Sequence, residues 1–80
     1  MKHRILLYRL SHTILAIDIT DIGFSNEVFP DEGELQMVPS LRFRSWNNVQ
    51  RYLEALGADQ ELIESGSRIQ RNDFVVLTIV

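Results

Sequence analysis

The sequence predicts an α+β fold, a mainly antiparallel sheet with two helices (about 46-56 and 59-70) packed on one face, in the order β-β-(β-β)-α-α-β. Three observations carry this reading. Residues 4–20 and 74–80 hold apolar residues at strand spacing, residues 46–56 repeat at helical spacing, and Gly57 and Asp59 punctuate that helix from a second one. Strands at both ends with a helical hairpin between them leave the helices one sheet face to cover. Eighty residues with no repeat, low-complexity tract or linker make a single small domain, 1–80.

The first apolar run reads as two strands. Ile5 and Leu7 oppose Leu6, Tyr8 and Leu10, so both faces are apolar, as in a central strand. Further on, Leu15, Ile17 and Ile19 share one face, and Ala16, Asp18 and Thr20 the other. The expected break is at Ser11 and His12, which makes a hairpin. Leu6, Leu10, Ile14 and Ile17 also fit a helix, but β-branched Ile14, Ile17, Ile19 and Thr20 favour strand. Pro30-Asp31-Glu32-Gly33 reads as a tight turn between Val28-Phe29 and Leu35, Met37 and Val38, hence a second hairpin or an exposed flap. Pro39 marks a sheet edge or a strand break.

From Leu41 the pattern sharpens. Leu41 and Phe43 alternate with Arg42 and Arg44, a half-buried strand with both guanidiniums toward water. Ser45 is the candidate N-cap of the first helix, whose apolar stripe is Trp46, Val49, Tyr52, Leu53 and Leu56. Gly57 is the expected C′ residue. Asp59 caps the second helix, with Glu61 in its first turn, where a negative charge is favourable. That helix is expected to reach about Gln70, with Leu62, Ile63, Gly66 and Ile69 on one face. Gly66 weakens it by about 1 kcal/mol relative to Ala, and an earlier end there would leave Ser67–Gln70 extended. Arg71-Asn72-Asp73 turns the chain into a buried strand, Phe74–Val80. Phe74, Val76 and Val80 cannot share the helical face with Val75, Leu77 and Ile79. The second apolar face therefore needs cover from residues 21–40 or from another copy, and a dimer or partner-bound module is expected.

Composition bounds the function. At 45% apolar and 24% charged the chain is globular and not an intrinsically disordered tail. The absence of cysteine removes disulfide scaffolds, thiolate zinc sites, iron–sulfur clusters and cysteine nucleophiles, and suits a cytoplasmic location. Met1-Lys2-His3-Arg4 followed by Ile5-Leu6-Leu7 resembles the start of a signal peptide. Arg9, His12 and Asp18 interrupt the apolar run, however, and no small-residue cleavage site follows. No stretch reaches the roughly 18 apolar residues of a membrane span, so no membrane partner is expected. The net charge of −3 is distributed in blocks. Lys2, Arg4 and Arg9 open the chain, residues 10–41 hold six carboxylates and no Lys or Arg, and Arg42, Arg44 and Arg51 follow. Basic and acidic segments are expected to neighbour each other in the fold.

Chemistry-bearing residues are sparse. His3 and His12 with Asp18 or Asp21 would make a metal-like set, but the spacing matches no ligand pattern, and no metal is expected. Asp31, Glu32 and Glu34 lack the alternation and terminal bidentate Glu of a calcium loop. The serine and threonine hydroxyls sit in no nucleophile elbow, and no phosphate-binding glycine loop is present, so neither cofactor nor enzyme activity is expected. Asp18 and Asp21 could act as acid and base only in a desolvated concavity. The residues carry no family signature specific enough to transfer a function.

Two binding readings remain. The leading one is a small non-enzymatic protein–protein interaction or regulatory module, self-associating or held by a partner protein. Phe24, Val28, Phe29 and Met37 would be its apolar anchors, and Arg42 and Arg44 its charged contacts. The alternative is a single-stranded nucleic-acid-binding protein using Arg42, Arg44, Trp46, Arg51 and Tyr52, since guanidiniums interleaved with rings suit phosphates and bases. The helical stripe argues that Trp46 and Tyr52 are core, and the net negative charge opposes phosphate attraction.

Overall fold

Ser11 and His12 divide the first apolar run into two antiparallel strands, β1 (His3–Arg9) and β2 (Ile14–Asp18), in the computed structural model, which describes residues 2–21 and 40–80. The turn is closed by the Leu10 N–H donating to the Thr13 carbonyl at 2.8 Å. The described chain continues with β3 (Ser40–Phe43), α1 (Trp46–Ala55), α2 (Gln60–Ser67) and β4 (Phe74–Ile79). The strands form a sheet of order β3-β2-β1-β4 in which every pairing is antiparallel. This is the α+β architecture that the sequence predicts. The expected hairpin around Pro30–Gly33 lies outside the described residues.

The strand period of two sorts the sheet into two faces. Ile5 and Leu7 of β1, Ala16 of β2, and Leu77 and Ile79 of β4 are buried with Val49, Leu53 and Ile63 from the helices. On the opposite face Leu6, Ile17 and Ile19 are buried, with half-buried Tyr8, Phe74 and Val76 around them. The second apolar face foreseen from the sequence is therefore present. Its centre is already buried within one chain, so a second copy is not needed to remove Leu6, Ile17 and Ile19 from water.

Helix ends follow local chemistry. Gly57 sits at φ 98°, its N–H donates to the Glu54 carbonyl at 3.0 Å, and the Ala58 N–H donates to that of Leu53 at 3.0 Å. This is the paired bonding of a Schellman closure, with Gly at the left-handed position. The Asp59 carboxylate accepts from the Leu62 N–H at 2.8 Å and caps α2, as expected. Ser45 does occupy the N-cap position of α1, but its side chain makes no capping hydrogen bond.

The second helix stops at Ser67 rather than near Gln70. The Arg68 and Ile69 N–H groups donate to the carbonyls of Ser65 and Gly66, three residues back, and tighten the last turn out of α-geometry. The Ser65 and Ser67 hydroxyls donate back to the carbonyls of Leu62 and Glu64, a competition that serine offers at helix ends. Gly66 is buried where the helix meets the sheet: a Cβ there would lie 3.1 Å from Leu77 and 3.3 Å from Trp46. Beyond the helix Asn72 takes φ 65°, which Asn tolerates. Its N–H donates to the Arg9 carbonyl, and the Arg9 N–H to the Asp73 carbonyl, extending the β1–β4 ladder.

Two substitutions test these ends. Gly57→Ala forces a side chain into the left-handed region and should lower unfolding free energy by about 1–2 kcal/mol. Asp59→Ala should cost about 1 kcal/mol through loss of the cap. Urea unfolding followed by circular dichroism measures both, and a change under a few tenths of a kcal/mol would contradict the assigned end geometry.

Candidate functional site

Edge strand β3 carries the first part of the site. Register places Phe43 opposite Ile14 and Leu41 opposite Ala16 on the helical face, and Arg42 opposite Leu15 on the other. Phe43 packs inward, its ring centroid 5.7 Å from that of Tyr52. Leu41, expected to be buried by alternation, is 47% exposed. Its place at the sheet edge, opposite the small Ala16, leaves it little to pack on. Arg42 and Arg44 are both exposed, and among the described residues neither forms an ion pair or a side-chain hydrogen bond. Glu27, Asp31, Glu32 and Glu34, most of the acidic block expected to neighbour these arginines, lie outside the described residues.

The basic-aromatic segment does not present its rings together. Trp46 and Tyr52 are half-buried and pack against the core that holds Val49 and Leu53, and Arg51 is exposed along α1. Instead, Arg44 and Trp46 meet Arg9 and His12 in a cleft of about 350 Å³ at the hairpin end of the sheet. The Arg9 guanidinium donates through Nη1 to the Ile69 carbonyl at 2.9 Å. That contact joins residues 60 apart in sequence. Charge placement here runs against helix stability. The first turn of α1 contains no acid, and Arg44 lies just before it, near the positive end of the helix dipole.

At the opposite end of β1, His3 Nδ1 lies 3.7 Å from Asp18 Oδ2. The Thr20 amide donates to Asp18 Oδ1 at 2.9 Å and the Thr20 hydroxyl donates to the same oxygen, while the Arg4 N–H donates to that hydroxyl at 3.0 Å. Partial burial pushes the Asp18 carboxyl up, but the two Thr20 donors and neighbouring His3 outweigh it and hold it below its ordinary 3.8. Tyr52 is raised above 10.0, first by burial and then by the negative charge of Asp18. The ionised Asp18 thus holds Thr20, two residues further on, through both its amide and its hydroxyl. The two histidines are at opposite ends of β1, and among the described residues no group of three or more His, Cys, Asp or Glu gathers at metal-binding distance.

A second cleft, about 440 Å³, lies between the start of α2 and the end of β4, with Asp59, Glu61, Leu62 and Thr78 among its walls. Of the residues singled out from the sequence, Phe24, Val28, Phe29 and Met37 lie outside the described residues. The structure brings Arg44 and Trp46 together but carries Arg42, Arg51 and Tyr52 elsewhere. Sequence reasoning missed Arg9 and His12 as neighbours of Arg44. The only signal available was that a hairpin turn at Ser11 and His12 places both at the same sheet end. No helix among the described residues is long and apolar enough to cross a membrane. No protein-family model, curated protein or solved structure matches the chain.

The Asp18 cluster has a pH signature. A carboxyl whose folded value is depressed stabilises the fold above its unfolded value, and that contribution disappears as pH falls through the folded value. With the side chain 46% exposed, solvent screening keeps the contribution small. The melting-temperature gap between wild type and Asp18→Asn should therefore be widest near neutrality and close as pH falls below 3.8. A gap that stays constant across an acid titration would show that Asp18 has no such coupling to folding.

Proposed function

We propose that the chain is a small non-enzymatic protein–protein interaction module that works through the free edge of β3. Strand order carries this reading. Among the described residues β3 is terminal in the sheet and pairs only with β2, and it displays exposed Leu41. A partner segment can add to such an edge through main-chain hydrogen bonds, with side chains supplying selectivity. Arg42 and Arg44 would supply it here, because two exposed guanidiniums that pair with no carboxylate among the described residues favour an acidic strand. A second copy of this chain, itself net negative, is the homotypic form of the same interaction.

The nucleic-acid alternative draws less support. Stacking requires exposed rings, and both Trp46 and Tyr52 contribute to core packing.

Charge reversal at the edge tests the proposal. Arg42→Glu with Arg44→Glu should abolish capture of the protein partner while leaving the melting temperature within a few degrees. Because the chain has no cysteine, Leu41→Cys offers a single thiol for a photo-crosslinker. Crosslinks to an acidic protein segment, or to a second copy, support the reading. Crosslinks confined to nucleic acid and lost on nuclease treatment overturn it, as does capture that survives charge reversal.

A further inference from the structure

The cleft at the hairpin end of the sheet supports a separate activity, although it shares Arg44 with the surface proposed above. It lies between the Ser11–His12 turn, the start of α1 and the end of α2, and Arg9, His12, Arg44, Ser67 and Trp46 line it. No described carboxylate is among its walls. We propose that this cleft binds a phosphate monoester.

Five features of the cleft argue for that chemistry. Two guanidiniums with an imidazole and the Ser11 and Thr13 hydroxyls make a wall of hydrogen-bond donors, and guanidinium forks match the oxygens of a phosphate. Arg9 is already held by its bond to the Ile69 carbonyl, so part of its ordering cost is met before a ligand arrives. Arg44 has no competing anion, since among the described residues it forms no ion pair. A dianionic phosphate interacts with each cation about twice as strongly as a carboxylate would. The space, about 350 Å³, exceeds what a bare tetrahedral anion fills. It falls at the small end of the roughly 300–1,000 Å³ range of small-molecule sites. Trp46 supplies an apolar wall for the group that carries the phosphate.

The placement of Arg44 also separates binding from stability. A cation beside the acid-free start of α1 does not stabilise that helix. Removing it should leave melting temperature unchanged or slightly raised while binding is lost, which a purely structural role would not produce.

Trp46 is the only tryptophan, so its emission reports on the cleft directly. The full chain is titrated with inorganic phosphate, adenosine monophosphate, glucose 6-phosphate and a phosphoserine peptide. Adenosine, glucose, the unphosphorylated peptide and chloride at matched ionic strength serve as comparisons. The phosphorylated compounds should give a saturable change in Trp46 emission and shift the backbone amides of Ser11, His12 and Thr13 in NMR spectra, and their counterparts should not. Arg44→Ala should weaken binding about tenfold, and Arg51→Ala, outside the cleft, should not alter it. Tighter binding of the nucleotide or sugar phosphate identifies a small metabolite as the source of the phosphate. Tighter binding of the peptide identifies a phosphorylated protein. An absence of saturable change in both emission and amide shifts, equal responses to phosphorylated and unphosphorylated ligands, or full affinity in Arg44→Ala would overturn the assignment.

Discussion

The fold depends on β1 being buried on both faces at once. Ile5, Leu6 and Leu7 are each fully buried although neighbouring side chains point to opposite sides of the sheet. Only a central strand can meet that condition, because both faces must be covered and both backbone edges must be hydrogen-bonded. Pairing with β2 on one side and β4 on the other satisfies the edges. Packing of Val49, Leu53 and Ile63 over Ile5 and Leu7 covers one face, and the Leu6, Ile17 and Ile19 cluster occupies the other. A one-residue slip of β1 would exchange the two sets of side chains, so the register is tightly specified.

With β1 central, the helices divide their tasks. Gly66 brings α2 close over Leu7, Leu77 and Trp46. The helix ends one residue past Gly66, where the Arg68 and Ile69 N–H groups bond three residues back. Its N-terminus has the Asp59 cap and Glu61, the arrangement that favours stability. The first helix begins without a capping bond or an early acid, next to Arg44. The contrast within one helical hairpin locates the chemistry. The end optimised for stability faces the acidic cleft, and the end left uncompensated adjoins the cluster of cationic side chains.

Much of the backbone could be read from short stretches of sequence. The break at Ser11 and His12, the C-terminal glycine at 57, the Asp59 cap and the turn at Asn72 each depend on residues within about a helical turn of one another. Local chemistry therefore suffices to place them. The same reading failed where a neighbour from elsewhere in the chain decides. Ser45 had the right type for a capping bond it does not make, and Leu41 stayed exposed despite its alternation; for α2 the structure chose the earlier of the two ends that the sequence allowed. In the site, Trp46 and Tyr52 were correctly weighed as core stripe. Arg9 and His12 were not recognised as companions of Arg44, because no motif joins positions so far apart in the chain.

The sequence by itself determined the α+β class, the element order and the two-faced strand at the centre, since periodicity and turn chemistry act over a few residues and leave direct marks in composition. Only the tertiary structure decided which charged groups meet. Arg9 reaches the Ile69 carbonyl across 60 residues, and the cleft shared with Arg44 and Trp46 exists because the end of β1, the start of α1 and the end of α2 lie at the same edge of the molecule. Those encounters depend on the strand pairing that brings β1 beside β4 and on the close approach of α2 to the sheet at Gly66. A linear pattern records which residues want burial, while three-dimensional packing selects the polar residues left side by side at the surface.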